Sequence, residues 1–422
     1  MTLYSELQKQ SGPLRPALAE QLGLISSDCT QCQTCVRECG FLKNHGDPKK
    51  IADNYNSSDK QFFELPFTCS LCDLCTAVCP QGISPAKMFL EMRREAFDQN
   101  ETNFPEHRNL RKYEKRGTSK RFSWYALPEN CDTIFFPGCS LSGSRSATTL
   151  KVYEALQKTI PSIGIVLDCC TKPSHDLGDE DYFNAMFGEM KNYLLTHGIK
   201  TVLIACPNCH KVFNDYGTEF NTRTVYEILD KVDATVTKKW SETVTVHDPC
   251  TARFNIPAQT AVRSLLKNQG IKVEEQLHSG KTTFCCGEGG AVSCLAPELA
   301  KSWGNKRMSE AGGQRIISYC AGCTQTLGAH AETSHILDLL FEEDTAATGN
   351  SKIDKTPVSC FKRLRLKKLL QHNLTTSVTR ERTFQGSSKH QSNNIWRSNR
   401  QLILIGSILT TALILISQAW TQ

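Results

Sequence analysis

Two short cysteine runs constrain what this chain can fold into more than any other feature. Both runs have the spacing C-x2-C-x2-C-x3-C; Gly40 follows the first and Pro80 the second. In this arrangement three thiolates on a tight loop hold three corners of a cubane cluster, and the fourth cysteine reaches across to the other cluster. Zinc sites normally use paired CxxC elements, so two zinc knuckles are the weaker alternative. The runs predict one 4Fe-4S cluster on Cys29, Cys32, Cys35 and Cys79 and another on Cys69, Cys72, Cys75 and Cys39.

Composition and charge narrow the class of protein further. With 422 residues, 39% of them hydrophobic and 22% charged, the chain is long enough for two or three globular domains. Its 21 cysteines fall mostly into short clusters typical of metal binding, and no signal peptide is visible, so we expect reduced thiols in the cytoplasm. Residues 361–400 hold ten Lys or Arg and one acid, which leaves 39 basic and 42 acidic residues elsewhere. The basic excess is therefore local and argues against a nucleic-acid partner.

Residues 131–345 alternate β-rich runs with helical stretches, which predicts an α/β domain. Each β-rich run leads into a cysteine, so we expect the cysteines to gather at one edge of a sheet, where ligand sites of open α/β folds lie. The predicted strands are Thr133 to Phe136, Ile163 to Leu167, Thr201 to Ala205, Val244 to His247 and Ile316 to Tyr319.

The cysteines of this region form a repeat. Equivalent positions are 111, 116 and 114 residues apart, which indicates a tandem duplication with small loop changes. We therefore expect a first half over 131–240 and a second half over 241–345. The first unit, called the first cysteine-rich site below, is Cys139, Cys169, Cys170, Cys206 and Cys209; the second cysteine-rich site is Cys250, Cys285, Cys286, Cys320 and Cys323.

The five-cysteine unit resembles the CCG cysteine-rich domain of heterodisulfide reductase, of the iron-sulfur subunit of glycolate oxidase and of the membrane-associated subunit of anaerobic glycerol-3-phosphate dehydrogenase. With the two ferredoxin-type runs, the resemblance covers about residues 25–340. It implies one or two further iron-sulfur clusters, of a non-cubane 4Fe-4S type that handles disulfide chemistry. It also implies an electron-transferring subunit that works with a flavoprotein or another redox partner and with membrane quinone. The chain itself carries no flavin or nicotinamide signature.

The two units fit this family unequally. The second contains Cys285-Cys286-Gly287, whereas in the first Thr171 stands where the glycine is expected. A side chain there crowds the backbone where a cluster approaches. For the first site, a structural zinc on four of the five thiolates stays open beside iron-sulfur. A purely structural role for both sites, with buried free thiols, is the third reading.

The sequence assigns no residue a definite catalytic role but offers four candidates. His247 is placed to orient a thiolate or deliver a proton, although a histidine that ends a strand is more often structural. Glu288 stands among glycines that would let a substrate come close. Outside both patterns, Cys131, Cys294 and Cys360 are interpreted as inert thiols. The catalytic candidates are Cys285, Cys286, His247 and Glu288.

The C-terminal end predicts a membrane anchor. Leu402 to Trp420 is 19 residues without a formal charge, about 28 Å as a helix, which matches a bilayer core. Trp396 and Trp420 stand at its ends, and the basic residues before it place the redox domains in the cytoplasm. A helix buried against the globular body is the alternative. The basic run Lys362 to Lys368 is either a solvated helix face or a contact with anionic lipid.

These observations predict an α/β protein with a small α-helical dicluster ferredoxin-like domain at its N-terminus and a single C-terminal transmembrane helix. The expected function is electron transfer at the cell membrane between a redox partner and the quinone pool or a disulfide substrate. The alternatives are a heterodisulfide-reductase-like catalytic subunit and a membrane-tethered zinc-binding interaction or sensing module. The predicted segments are 1–100 (two 4Fe-4S clusters), 101–130 (linker), 131–240 and 241–345 (cysteine-rich halves), 346–400 (basic flexible tether) and 401–422 (anchor).

Overall fold

The computed structural model describes residues 13–231, 242–341, 354, 356–374 and 378–386. Its N-terminal part consists of short helices, several of which begin at a proline whose fixed φ suits the first helical turn. Pro16, Pro48 and Pro85 stand at these positions, and the Asp47 carboxylate accepts from the Lys50 backbone N–H at 3.0 Å. The helices are α1 (Pro16–Asp28), α2 (Thr34–Glu38), α3 (Gly40–His45), α4 (Pro48–Asp53), α5 (Lys60–Glu64), α6 (Leu74–Val78), α7 (Pro85–Asp98) and α8 (Arg108–Gly117).

Two sheets follow the helical part. The strands are β1 (Trp124–Leu127), β2 (Thr133–Phe136), β3 (Gly164–Leu167), β4 (Thr201–Ile204), β5 (Asn221–Thr224), β6 (Thr243–His247), β7 (Lys272–Val273), β8 (Arg315–Ser318), β9 (Thr333–His335) and β10 (Val378–Arg380). The first sheet has the order β10-β1-β3-β2-β4-β5, and the second has the order β7-β6-β8-β9.

The helices of the two halves cover these sheets. In the first half they are α9 (Cys139–Ser144), α10 (Ser146–Thr159), α11 (Lys172–Asp176), α12 (Glu180–Thr196), α13 (Pro207–Tyr216) and α14 (Val225–Leu229). In the second half they are α15 (Ile256–Asn268), α16 (Val292–Leu295), α17 (Pro297–Ala311), α18 (Ala321–Leu327) and α19 (Ile336–Phe341), and α20 (Val358–Asn373) comes after it.

The two sheets share one topology. Strands β3, β2, β4 and β5 are parallel, as are β7, β6, β8 and β9, and the two orders correspond strand for strand. The first sheet adds β1 and β10, which pair in antiparallel fashion at its edge. The duplication seen in the cysteine spacing is therefore also present in the fold.

The five strands predicted from the sequence are confirmed, each within one residue of its expected bounds. The carboxyl ends of parallel strands meet at one edge of a sheet. Because Cys139, Cys169 and Cys206 directly follow β2, β3 and β4, the fold collects them at that edge. Cys250 and Cys320 follow β6 and β8 in the same way.

Two segments that the sequence led us to expect as irregular are ordered. The expected linker, 101–130, contains α8 and β1, and the expected tether, 346–400, contains α20 and β10. The flexible-tether prediction is wrong for these described parts because α20 buries Leu366 and Leu370 in a core shared by both halves. Arg363 and Lys367 are also buried, so α20 is not a fully solvated basic face.

The predicted transmembrane anchor, 401–422, lies outside the described residues. Within the part of the chain that the structure describes, no helix has both the length and the apolar character needed to cross a membrane.

The two halves are joined by a hydrophobic core and by buried polar contacts. The Tyr226 hydroxyl lies 2.9 Å from the Ala205 carbonyl oxygen and 3.0 Å from that of Tyr319, the residues just before Cys206 and Cys320. Arg145 Nε in the first half donates to both Asp338 carboxylate oxygens, at 3.0 and 2.7 Å, and both side chains are 4% exposed. These contacts fix the two cysteine-bearing edges relative to each other.

We expect Asp338→Ala to destabilise the protein by about 3–5 kcal/mol, because it leaves the buried Arg145 guanidinium without its counter-ion. Anaerobic urea unfolding of the cluster-loaded protein measures the change. Glu219→Ala is the matched control: it breaks an ion pair with Lys191 in which the Glu219 side chain is 45% exposed, and solvent screens such pairs. Equal unfolding midpoints for the two variants would contradict the role given to Asp338.

Candidate iron-sulfur sites

The first ferredoxin-type site opens to the surface. Cys29, Cys32, Cys35 and Cys79 line one surface cavity, and Cys32 is exposed. Burial, followed by the neighbouring thiols of Cys29, Cys79 and Cys32, raises the pKa of Cys35 to about 12. The structure therefore brings together the four cysteines that the spacing assigns to one cluster.

The second ferredoxin-type site is enclosed. Its cysteines, Cys39, Cys69, Cys72 and Cys75, are all buried. Burial raises the pKa of Cys75 well above its usual range, and the next contributions come from Cys69, Cys72 and Cys39. Cys39, which belongs to the first run in the sequence, is thus a neighbour of the thiols of the second run. This agrees with its assignment to the second cluster.

The two runs share one backbone conformation. Gln31 and Gln33 in the first run have φ of 53° and 65°, and Leu71 and Asp73 at the equivalent positions have φ of 47° and 58°. Left-handed non-glycine residues are strained and persist where the surroundings require them. In the second run the turn lets the Leu71 N–H donate to Cys69 Sγ at 3.4 Å. Both loops are thus shaped around their sulfur atoms, which fits a cluster held by three cysteines of one loop.

The second cysteine-rich site gathers its five predicted cysteines, all of them buried. Hydrogen bonds connect the thiols of Cys250 and Cys285, of Cys285 and Cys286, of Cys286 and Cys323, and of Cys323 and Cys320. The Gly287 N–H also donates to Cys285 Sγ at 3.3 Å. A continuous patch of sulfur atoms of this kind fits a multi-iron cluster.

His247 and Arg307 border the second cysteine-rich site. His247 is fully buried, and one ring nitrogen lies with Cys286 Sγ and Cys323 Sγ in a group whose atoms are all within 4.8 Å of one another. Burial, followed by the charge of Arg307, lowers the pKa of His247 to about 3. The motif singled out His247 as a candidate; nothing in the sequence singled out Arg307, which comes from the middle of α17.

The first cysteine-rich site also brings its five cysteines together. Hydrogen bonds connect Cys139 with Cys169, and Cys209 with both Cys170 and Cys206. Thr171 is fully buried with φ of 55°, so the threonine takes the left-handed conformation that a glycine would supply. The departure from the family pattern therefore strains the backbone, and φ at Thr171 is smaller than the 102° of the equivalent Gly287.

Two residues of the first cysteine-rich site were not predicted. The Tyr113 hydroxyl donates to the Cys139 thiol, and the Arg363 guanidinium lies near both groups and donates to the Gly117 carbonyl oxygen at 3.1 Å. They come from α8 and α20, inside the expected linker and tether, so no motif pointed to them.

Sulfur spacing bears on the choice between zinc and iron. Thiolates that share a tetrahedral zinc lie about 3.8 Å apart, because each Zn–S bond is about 2.3 Å. Among the described residues, the one trio of potential ligand atoms mutually within 4.8 Å is that of His247, Cys286 and Cys323. For the first cysteine-rich site, iron-sulfur and a structural zinc both stay open.

The second ferredoxin-type site lies directly against the second cysteine-rich site. A Cβ atom on Gly289 would lie 2.7 Å from the Ser70 carbonyl oxygen and 3.2 Å from Cys285 Sγ. One on Gly290, with φ of 57°, would lie 2.9 Å from the Cys69 carbonyl oxygen. These glycines, which we expected to admit a substrate, admit the ferredoxin backbone instead.

Two buried arginines hold this contact in place. Arg253 Nε, from the second half, donates to the Cys72 carbonyl oxygen at 2.9 Å. Arg93, from α7, donates to the carbonyl oxygens of Cys69 at 2.7 Å and Gly290 at 2.8 Å. Buried guanidinium groups with fixed acceptors set the distance between the two sites rigidly.

Glu288 lies between the two cysteine-rich sites. Its side chain remains accessible to solvent, yet the surrounding protein desolvates it and raises its pKa to about 7, helped by the charges of Cys285 and Cys139. Gly322 leaves the space that the carboxylate occupies. Cys131, Cys294 and Cys360 remain outside all four sites as free thiols.

Two family models match the chain. A 4Fe-4S dicluster domain model matches residues 28–84, and a cysteine-rich domain (CCG) model matches residues 133–214 and again 244–328. Together they cover both ferredoxin-type runs and both five-cysteine units. The chain belongs to the iron-sulfur proteins that join a 4Fe-4S dicluster domain to a duplicated CCG cysteine-rich domain, which confirms the resemblance found in the sequence.

Several curated relatives are redox enzymes or components of them. A component of the fumarate reductase (CoM/CoB) of Methanothermobacter marburgensis is 24% identical over 344 residues, which cover 70% of this chain and 66% of the relative. A component of the dihydromethanophenazine:CoB--CoM heterodisulfide reductase of Methanosarcina barkeri is 24% identical over 296 residues, covering 61% and 71%. EtfAB:quinone oxidoreductase of Syntrophomonas wolfei is 24% identical over 272 residues, covering 56% and 38%. The chain spans about two thirds of the first two relatives and less than half of the third, and it is an iron-sulfur protein related to oxidoreductase subunits.

Proposed function

We propose that this chain is the electron-transferring iron-sulfur subunit of an oxidoreductase complex. The observation that carries the proposal is the close approach at Gly289, where a Cβ atom would lie 2.7 Å from the Ser70 carbonyl oxygen and 3.2 Å from Cys285 Sγ. At this point the ferredoxin loop and the second cysteine-rich site leave no space for a side chain between them. Clusters held at Cys69 and at Cys285 would therefore be near neighbours and could exchange electrons directly.

The four sites form a route that leads from an exposed site at the surface to buried sites. The first ferredoxin-type site has an exposed thiol, Cys32, and accepts an electron from, or delivers one to, a partner at the surface. The second ferredoxin-type site is enclosed and passes the electron inward. The charge of an added electron would spread over the iron and sulfide of each cluster, so its transfer would need little rearrangement, and burial would set each potential. The cluster ligands proposed are the four sets of cysteines described above.

The partners proposed are a flavoprotein or other redox subunit at the exposed end and membrane quinone as the remote donor or acceptor. The relation to an EtfAB:quinone oxidoreductase supports the quinone proposal. The predicted anchor at 401–422 would bring the protein to the membrane that holds this quinone, with the redox sites on the cytoplasmic side.

Disulfide reduction at the second cysteine-rich site is a second candidate function. The accessible Glu288 carboxyl between Cys285 and Cys139 favours it, because cleavage of a disulfide needs two electrons and two protons. In this version the clusters supply the electrons one at a time, and the S–S bond breaks to give two thiols. The relation to a heterodisulfide reductase component supports this candidate.

Metal analysis tests the proposal against the zinc-binding alternative. We expect anaerobically purified full-length protein to hold about twelve to sixteen irons per chain with matching sulfide, since two cubanes account for about eight and each occupied cysteine-rich site adds about four. EPR of the reduced protein should show more than the two ferredoxin-type signals. About eight irons together with stoichiometric zinc would contradict the route through the second cysteine-rich site.

A further inference from the structure

The second cysteine-rich site contains buried nitrogen donors that the protein does not satisfy. Within the described residues, neither ring nitrogen of His247 has a hydrogen-bond partner, and the same is true of Arg307 Nε. Both side chains are 0% exposed, so no water reaches them from the surface. Buried polar groups in native proteins are almost always paired, and an orphan at a cofactor site points to an acceptor that belongs to the loaded state.

The sulfur atoms are the acceptors that geometry offers. His247 ends β6, and its ring nitrogen shares a space with Cys286 Sγ and Cys323 Sγ in which all three atoms lie within 4.8 Å of one another. Cys286 belongs to the adjacent cysteine pair and Cys323 closes the unit. Thiolates and cluster sulfides accept N–H hydrogen bonds, and such bonds are one of the main means by which proteins set cluster potentials.

Arg307 complements the histidine. Its guanidinium donates to the His278 carbonyl oxygen and, at 3.0 Å, to Glu310 Oε2, which fixes it beside the site. From there its positive charge acts on Cys286 and Cys323. An imidazole carries at least one ring N–H in either protonation state, so His247 has a hydrogen bond to donate.

We propose that His247 is a positioning residue that donates its ring N–H to sulfur at Cys286 or Cys323 and thereby raises the reduction potential of the second cysteine-rich site. The proposal rests on the proposed function, in that the site holds an iron-sulfur cluster. Reduction adds negative charge that spreads onto the sulfur atoms, and an N–H donor stabilises the state with more charge. The bond thus favours the reduced form and draws electrons from the ferredoxin-type sites.

His247→Leu tests the proposal, because leucine fills much of the imidazole volume without a donor. We expect EPR-monitored redox titration to show that the equilibrium constant for reduction of this site falls about tenfold. For a one-electron step this is a fall of about 59 mV in the reduction potential. His247→Gln, which keeps a side-chain N–H, should recover part of this shift. Pulsed EPR of the wild-type protein should show a weakly coupled exchangeable proton that His247→Leu lacks.

His107→Leu is the matched control. His107 is also buried, at 1% exposure, and neither of its ring nitrogens has a partner, but its ring packs against Phe67 and Phe104 and not against the second cysteine-rich site. We expect this variant to keep the wild-type potential of that site. An equal shift in both histidine variants would assign the effect to general loosening and overturn the proposal.

Iron and sulfide content separates the possible failures. Full iron loading with an unchanged potential in His247→Leu would overturn the donor role while leaving the proposed function intact. Strong nitrogen hyperfine coupling, typical of direct coordination, would overturn it in favour of ligation by His247. Zinc in the wild-type site would overturn both this inference and the proposed function.

Discussion

Replacing Cys285 with serine is expected to remove the cluster of the second cysteine-rich site and to stop electron flow beyond the ferredoxin-type sites. Cys285 is hydrogen bonded to Cys250, Cys286 and the Gly287 N–H, so it is central to the sulfur patch, and a hydroxyl is a far poorer ligand to iron. The iron content should fall by about four per chain, while the two cubane signals persist in EPR.

The matched control for this variant is Cys294→Ser. Cys294 is a half-buried thiol outside all four sites, so we expect it to keep full iron content. Loss of the ferredoxin-type signals in Cys285→Ser would instead indicate that the whole protein had failed to assemble.

The same variant separates the two candidate functions. Wild-type protein supplied with an artificial reductant is assayed for cleavage of a mixed disulfide. Turnover that Cys285→Ser abolishes supports catalysis at this site. Electron transfer to a quinone analogue without disulfide turnover supports the electron-transfer proposal alone.

The second large effect is expected from Gly290→Ala. At φ of 57°, a Cβ atom there would lie 2.9 Å from the Cys69 carbonyl oxygen and from the Ser70 carbonyl carbon, both of them backbone atoms that do not yield easily. The ferredoxin loop must move away from the second half, which lengthens the route between the two enclosed sites. Stopped-flow reduction should show rapid reduction of the ferredoxin-type clusters and markedly slower reduction of the cluster at Cys285.

Gly312→Ala isolates this contact from backbone strain. Gly312 has the same φ of 57°, but a Cβ atom there would meet nothing within 4 Å. Both variants place an alanine in the left-handed conformation, which lowers the free energy of unfolding of each by about 1–2 kcal/mol. Only Gly290→Ala should slow the internal electron transfer. Equal rates of reduction of the cluster at Cys285 in the two variants would contradict the proposed route.

Local patterns account for what the sequence could predict. The β-rich run Thr133 to Phe136 is a strand because four residues that suit a buried sheet precede a cysteine loop, and no distant partner is needed to see it. Strand β1 could not be predicted in this way, because it depends on pairing with β3 and with the distant β10. The basic sequence of helix α20 predicted a tether, because nothing local indicates that Leu366 and Leu370 pack in the core.

The cysteine sites divide in the same way. The spacing of the two ferredoxin-type runs and the repeat of the five-cysteine unit together assign eighteen cysteines to four sets. Tyr113, Arg363 and Arg307 carry no such signal: each reaches a cysteine site from an element that is far away along the chain. The acceptor contacts of Arg93 and Arg253 are likewise products of tertiary packing and leave no trace in a motif.

The return of the chain to strand β10 has a consequence for biosynthesis. The Arg382 backbone N–H donates to Ser123 Oγ across 259 residues, and the Arg382 guanidinium pairs with the buried Asp168 at 2.9 Å, next to Cys169. The first sheet therefore gains its edge strand, and Asp168 gains its guanidinium partner, only after most of the polypeptide has been synthesised. A chain cut short before Val358 lacks this strand, this ion pair and Arg363, so we expect its first cysteine-rich site to be less stable than that of the full-length protein.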